Sequence, residues 1–91
     1  MAFELVYHHE VQKDTARLDE RLKKRIKAAI ETRLTVAPHQ YGEPLRKTLK
    51  GYWKLRVGDY RVVFKVTGNE VWIFGIIHRK EVYEKIEKRF G

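Results

Sequence analysis

Lys54, Arg56, Arg61 and Lys65 are the residues of this 91-residue chain whose type and spacing could do chemistry on an anion. They fall in residues 51–66, GYWKLRVGDYRVVFKV. The pattern predicts two antiparallel strands joined at Val57-Gly58-Asp59, glycine supplying the left-handed backbone of a tight turn. Strand side chains alternate faces, so Tyr52, Lys54 and Arg56 share one face, continued beyond the turn by Arg61, Val63 and Lys65. Trp53, Leu55, Val57, Tyr60, Val62, Phe64 and Val66 share the other. The expectation is a greasy face buried under helices and a cationic face left open. Arg56 and Arg61 are permanently charged, planar donors suited to a phosphate oxyanion. Lys54, crowded by those arginines, is the candidate for exchanging a proton.

The rest of the chain must position that hairpin. Phe3, Leu5 and Tyr7 alternate with Glu4, Val6 and His8 as a short first strand. A short helix is predicted from His9 to Arg17, with Val11, Thr15 and Leu18 on one side. Asp19 suits the N-cap of a longer helix, ERLKKRIKAAIETRL, whose Leu22, Ile26, Ala29, Ile30 and Leu34 form one apolar stripe. Residues 35–44, TVAPHQYGEP, read as a loop from their prolines and glycine. Leu45 and Leu49 are expected to tuck onto the core, with Arg46, Lys47 and Lys50 outside. Thr67-Gly68-Asn69 makes a second turn into a near-continuously apolar strand, EVWIFGIIH, over 70–78. Residues 79–90, RKEVYEKIEKRF, read as a terminal helix. The order β-α-α-β-β-β-α predicts an α+β domain spanning 1–91, a four-stranded, mostly antiparallel sheet with two N-terminal helices on one face. The last helix lies by the other face or edge. Trp53, Leu55, Phe64, Ile26 and Ile30 are the expected core.

Composition narrows the chemistry. The formal net charge is +8, of which residues 1–44 carry +1 and residues 45–91 carry +7. So uneven a balance implies an anionic partner, a nucleic acid or an acidic protein, although a basic surface can also serve solubility alone. There is no cysteine, hence no disulfide framework and no thiolate metal site. His8, His9 and His39 lack metal-ligand spacing, Gly58 and Gly68 belong to turns rather than to a phosphate loop, and no metal or cofactor is expected. No apolar run approaches the ~20 residues of a membrane span, and MAFELVYHH lacks the marks of a signal peptide. A cytoplasmic protein is the expectation.

Three segments resemble the RelE/ParE superfamily of toxins from type II toxin–antitoxin pairs. They are Tyr41-Gly-Glu-Pro-Leu45, the run LKGYWKLRVGDYR over 49–61, and His78-Arg-Lys-Glu-Val-Tyr83, which is similar to the ending of the RelE branch. The resemblance spans essentially the whole chain. It implies a RelE-like microbial ribonuclease fold and a metal-independent endoribonuclease that cuts mRNA in the ribosomal A site. There the RNA's own 2′-hydroxyl attacks the adjacent phosphate. By the same resemblance Lys54, Arg61, Arg79 and Tyr83 are catalytic residues, Arg79 assisting the leaving group and Tyr83 stacking on or orienting the nucleotide. Arg56 and His78 are further candidates, since histidine titrates near neutral pH and could share acid–base work. Lys47, Lys50, Tyr52, Lys65 and Lys80 are candidate RNA contacts. Tyr52 stands where some members place a lysine. The implied partners are mRNA, the ribosome and a cognate antitoxin gripping the basic surface through an acidic amphipathic segment. Two other readings share the fold. One is a ParE-like inhibitor of DNA gyrase that cuts nothing, and the other a silent chain that only binds its antitoxin and represses the operon.

Overall fold

The hairpin predicted over 51–66 forms the middle of the sheet. The computed structural model describes residues 2–46 and 50–90. In it β3 (Trp53–Val57) and β4 (Tyr60–Thr67) pair antiparallel, Val57 opposite Tyr60. Gly58 turns the corner at φ 59°, a left-handed conformation that favours glycine. A second turn at Gly68 leads into β5 (Glu70–His78), antiparallel to β4. β1 (Glu4–Tyr7) runs parallel to β5, with Leu5 beside Val71.

The sheet therefore differs from the four-stranded expectation. Its order is β1-β5-β4-β3-β2, five strands, and it is mixed because β1 and β5 are parallel. The extra strand is β2 (Glu43–Pro44), two residues paired with Lys54 and Trp53. It arises inside 35–44, the stretch whose prolines suggested loop throughout. The same stretch winds a short helix, α3 (Pro38–Tyr41), with Pro38 in the first turn, where its missing N–H is harmless. Gly42 then lets the chain press onto the sheet. A Cβ there would sit 2.5 Å from Phe64 Cζ.

On one face lie α1 (Val11–Thr15) and α2 (Glu20–Ala29), both shorter than predicted. Asp19 caps α2 as expected, its carboxylate accepting from the Leu22 N–H at 2.8 Å. Beyond Ala29 the helix widens into a π-helical turn, Ile30–Leu34. There the Thr32 hydroxyl donates to the Ala28 carbonyl at 2.8 Å and competes with the regular ladder. Ile26, Ile30 and Leu34 are buried against Leu55, Val62, Phe64, Val71 and Ile73. Four of the five expected core residues lie here, while Trp53 is half-buried at the rim. Leu55 is 2% exposed, so Leu55→Ala should cost ~2–5 kcal/mol in denaturant unfolding. A loss below ~0.5 kcal/mol, the size of an ordinary surface substitution, would mean that the face assignment is inverted.

The opposite face is not the open cationic surface that alternation suggested. α4 (Val82–Phe90), which starts three residues later than predicted, lies on it. Leu45, Val63, Ile77, Val82 and Ile86 form a second small core there. Leu45 is thus buried as expected, whereas Leu49 and Lys47 lie outside the described residues. The register between β4 and β5 shifts at Val63/Phe64, leaving Phe74 as the extra residue of a bulge. Beside the bulge β1 has already ended, and a side-chain pair takes its place. The Ile76 N–H donates to Asp14 Oδ2 at 2.9 Å, and Arg89 donates to the Phe74 carbonyl at 3.1 Å and to both Asp14 oxygens. That pair fastens α1, β5 and α4 together. Among the described residues, no helix is long and apolar enough to cross a membrane.

Candidate functional site

At the N-terminal end of α4 the basic side chains converge. β3 contributes Lys54, β4 Arg61, the segment after β2 Arg46, the β5–α4 junction Arg79 and Lys80, and the first turn of α4 Val82 and Tyr83. Together they line a cleft of about 250 Å³. Five of those seven residues are cations and none is a carboxylate. In such a cleft the field of like charges is relieved by an anion.

Each cation is held differently. Arg61 uses one guanidinium nitrogen to donate to the Gly58 and Tyr60 carbonyls, 3.0 Å each, which ties its head group to the turn. The Arg79 N–H donates to the Asp59 carbonyl at 2.8 Å, and its Nε lies 3.4 Å from Asp59 Oδ1. That ion pair is exposed, so it contributes little and yields easily to a phosphate. Tyr83 is surrounded by charge. Arg46 Nε donates to its hydroxyl at 3.4 Å, while the Arg46 guanidinium carbon and Lys54 Nζ lie 5.4 and 5.8 Å from the ring centroid. Partial burial raises the pKa of the phenol, but the Arg46 hydrogen bond and the two positive charges outweigh it and hold the group below the usual tyrosine range.

The structure thus brings Lys54, Arg61, Arg79, Lys80 and Tyr83 into one cleft. Arg56 turns instead into an adjoining pocket at the sheet edge, with Arg33, Tyr41 and Glu43. Tyr52 and Lys65 lie toward the far end of α4. Lys65 Nζ is 5.2 Å from the Tyr52 ring centroid, and Tyr52 packs by Phe74 and Phe90. Lys50 is exposed in the turn before β3, and Lys47 is outside the described residues. His78 is on the α1 side of the sheet, edge-on to Tyr60, in a cavity shared with Glu10, Lys13 and Arg17. Its Nδ1 accepts from the Lys80 N–H at 3.3 Å. Arg46 is the cleft residue that the motif reading passed over. Its signal was local: the anchored Leu45 beside it leaves Arg46 exposed next to α4.

Residues 5–83 match the family model described as the ParE toxin of the type II toxin–antitoxin system, parDE. The chain belongs to this family of toxins, within the RelE/ParE superfamily. It is 36% identical over 83 residues to Toxin RelE of Mycobacterium tuberculosis, covering 85% of this chain and 86% of that one. Among solved structures, the toxin–antitoxin complex RelBE2 from M. tuberculosis contains a chain that superposes with a TM-score of 0.81 at 23% identity, over 87% of this chain and 100% of that one. A mutant E. coli toxin RelE in the free state gives 0.76 at 20% identity, with both chains fully covered. At such identities these two structures bear on the fold alone.

Proposed function

We propose that this toxin is a ribonuclease that cuts mRNA on the ribosome, in the cleft at the start of α4, and that a cognate antitoxin masks it. The observation that carries the proposal is the convergence of Arg46, Lys54, Arg61, Arg79 and Lys80 on Tyr83 with, among the described residues, no carboxylate lining the cleft. A phosphodiester is the anion such a cleft fits, and the aromatic ring at its wall suits an unstacked base. In the reaction the 2′-oxygen bonds to the adjacent phosphorus and the bond to the 5′-oxygen breaks. Arg61 and Lys54 stabilise the charge on the phosphorane, the 2′-proton leaves to a basic group, and Arg79 faces the departing 5′-oxygen, which takes up a proton. An antitoxin with acidic segments would neutralise the same cations, and the RelBE2 structure named above is a complex of a toxin with its antitoxin.

Mapping mRNA 5′ ends after brief expression in cells tests the activity. Cuts confined to translated frames are expected. Intact mRNA accompanied by DNA breaks would replace this reading with gyrase inhibition. Tyr83 offers a finer test on programmed ribosomes. Tyr83→Ala should slow single-turnover cleavage by ~10-fold or more, the worth of one stacked base, while Tyr83→Phe keeps most of the rate. Equal losses would assign the work to the hydroxyl. Because the nearby cations lower the pKa of Tyr83, a hydroxyl acting as base would also make the rate climb with pH before the usual tyrosine range, a climb absent from Tyr83→Phe.

A further inference from the structure

We infer that a second nucleotide binds beside the cleft, in the pocket at the β2–β3 edge, its base stacked on Tyr41 and its identity screened by Glu43. The inference rests on the ribonuclease reading and extends it to the choice of substrate. The pocket has a volume of about 150 Å³, and its lining includes Arg33, Tyr41, Glu43, Lys54, Arg56 and Arg61. Lys54 and Arg61 also line the cleft. A phosphate held by those two therefore has one neighbouring nucleotide in the cleft and the other in this pocket.

Tyr41 is a large aromatic residue left 53% exposed. The guanidinium carbon of Arg33 lies 5.8 Å from its ring centroid. Neither residue is placed by chance of a floppy loop. Tyr41 ends α3 and is followed by Gly42, whose lack of a Cβ lets the backbone approach Phe64. Arg33 projects from the π-helical turn Ile30–Leu34, a form of helix found often at functional sites. An exposed aromatic ring attended by an arginine is the arrangement on which single-stranded bases stack.

The charge balance separates this pocket from the cleft. Among the described residues the cleft has no carboxylate, but here Glu43 stands among the cations, paired in register with Lys54. A carboxylate repels a phosphate, so its neighbourhood suits the base end of a nucleotide. Ionised glutamate only accepts hydrogen bonds. It favours bases that carry an amino donor, namely adenine, cytosine and guanine, and it disfavours uracil, whose single N–H is flanked by two carbonyls.

Short RNA oligonucleotides methylated at the 2′-oxygen cannot be cleaved by their own hydroxyl, and their binding to the full chain can be followed by fluorescence anisotropy. Adenine-containing oligonucleotides should bind the wild type more tightly than their uracil counterparts. Tyr41→Ala should raise the dissociation constant roughly tenfold, within the range for one stacked base, and Tyr41→Phe should leave it nearly unchanged. Glu43→Gln should close the gap between adenine and uracil. An unchanged dissociation constant in Tyr41→Ala, a wild type indifferent to adenine and uracil, or no binding at all would overturn the inference. If Tyr41→Ala weakened only capture by the cognate antitoxin, the surface would be a protein interface instead. Failure of the ribonuclease reading would show separately, as wild-type protein that leaves mRNA on programmed ribosomes uncut.

Discussion

Replacing Arg61 by alanine should reduce mRNA cleavage by ~10²–10³-fold, the usual consequence of removing one oxyanion donor. Arg61 lines both the cleft and the pocket beside it, and one nitrogen of its guanidinium is tied to the β3–β4 turn by the Gly58 and Tyr60 carbonyls. On the ribonuclease proposal it is the other guanidinium donors that meet the phosphate. Loss of the two carbonyl contacts should lower stability by only ~0.5–1.5 kcal/mol each, so the variant remains folded and the rate loss is interpretable. Arg61→Lys is the companion. It restores charge without the planar fork, and should recover part of the rate. Single-turnover cleavage on programmed ribosomes and growth arrest in cells both report the effect. An Arg61→Ala protein that folds normally and is still fully toxic would defeat the ribonuclease proposal.

What could be seen in the sequence divides along physical lines. The hairpin was legible because side chains alternate with a period of two, and Leu55, Val62 and Phe64 fall on the α1/α2 side as that alternation requires. The Asp19 cap was legible because the cap and its target are three residues apart. The covering of the other face was signalled weakly, by Val63 standing between Arg61 and Lys65. An apolar residue in a cationic row needs something to lie on it, and α4 does.

His78 shows how one residue can mislead. Counted from Glu70 with strict alternation, it falls on the face of Trp72, among the cations. The inserted Phe74 reverses the phase, so that Ile76 packs with the α1/α2 core and Ile77 with α4. His78 then follows Ile76 toward α1. A slip of one residue exchanges the faces of every later side chain. The sign of it was Gly75, since a glycine within an apolar strand often marks a bulge or a close approach. A Cβ at Gly75 would lie 2.8 Å from Ile77 Cδ1 and 3.1 Å from an Arg89 nitrogen. β2 was hidden for another reason. Two residues are too few to show a period, and their pairing depends on where β3 lies.

Nothing local announced the partnership of Asp14 and Arg89, 75 residues apart in the chain, yet its loss should be among the most damaging changes to stability. The Asp14 side chain is 4% exposed and that of Arg89 16%. Asp14 also accepts the Ile76 N–H, and Arg89 also donates to the Phe74 carbonyl. Breaking such a pair strands a buried charge, so Asp14→Ala or Arg89→Met should each cost ~3–5 kcal/mol. Against a total of ~5–15 kcal/mol for a typical domain, that is a large share. The double variant should lose less than the sum of the two, because no charge is left unpaired. It should still remain below wild type, since the Ile76 N–H and Phe74 carbonyl lose their partners at ~1–3 kcal/mol each. Denaturant unfolding of the four proteins gives the coupling directly. The consequence reaches the cleft as well, because Arg89 fastens the far end of the helix whose first turn carries Tyr83. Single variants that each cost under ~1 kcal/mol and add without coupling would show that the pair behaves like an exposed one, and that α4 is held by its apolar contacts, Val82 and Ile86 foremost.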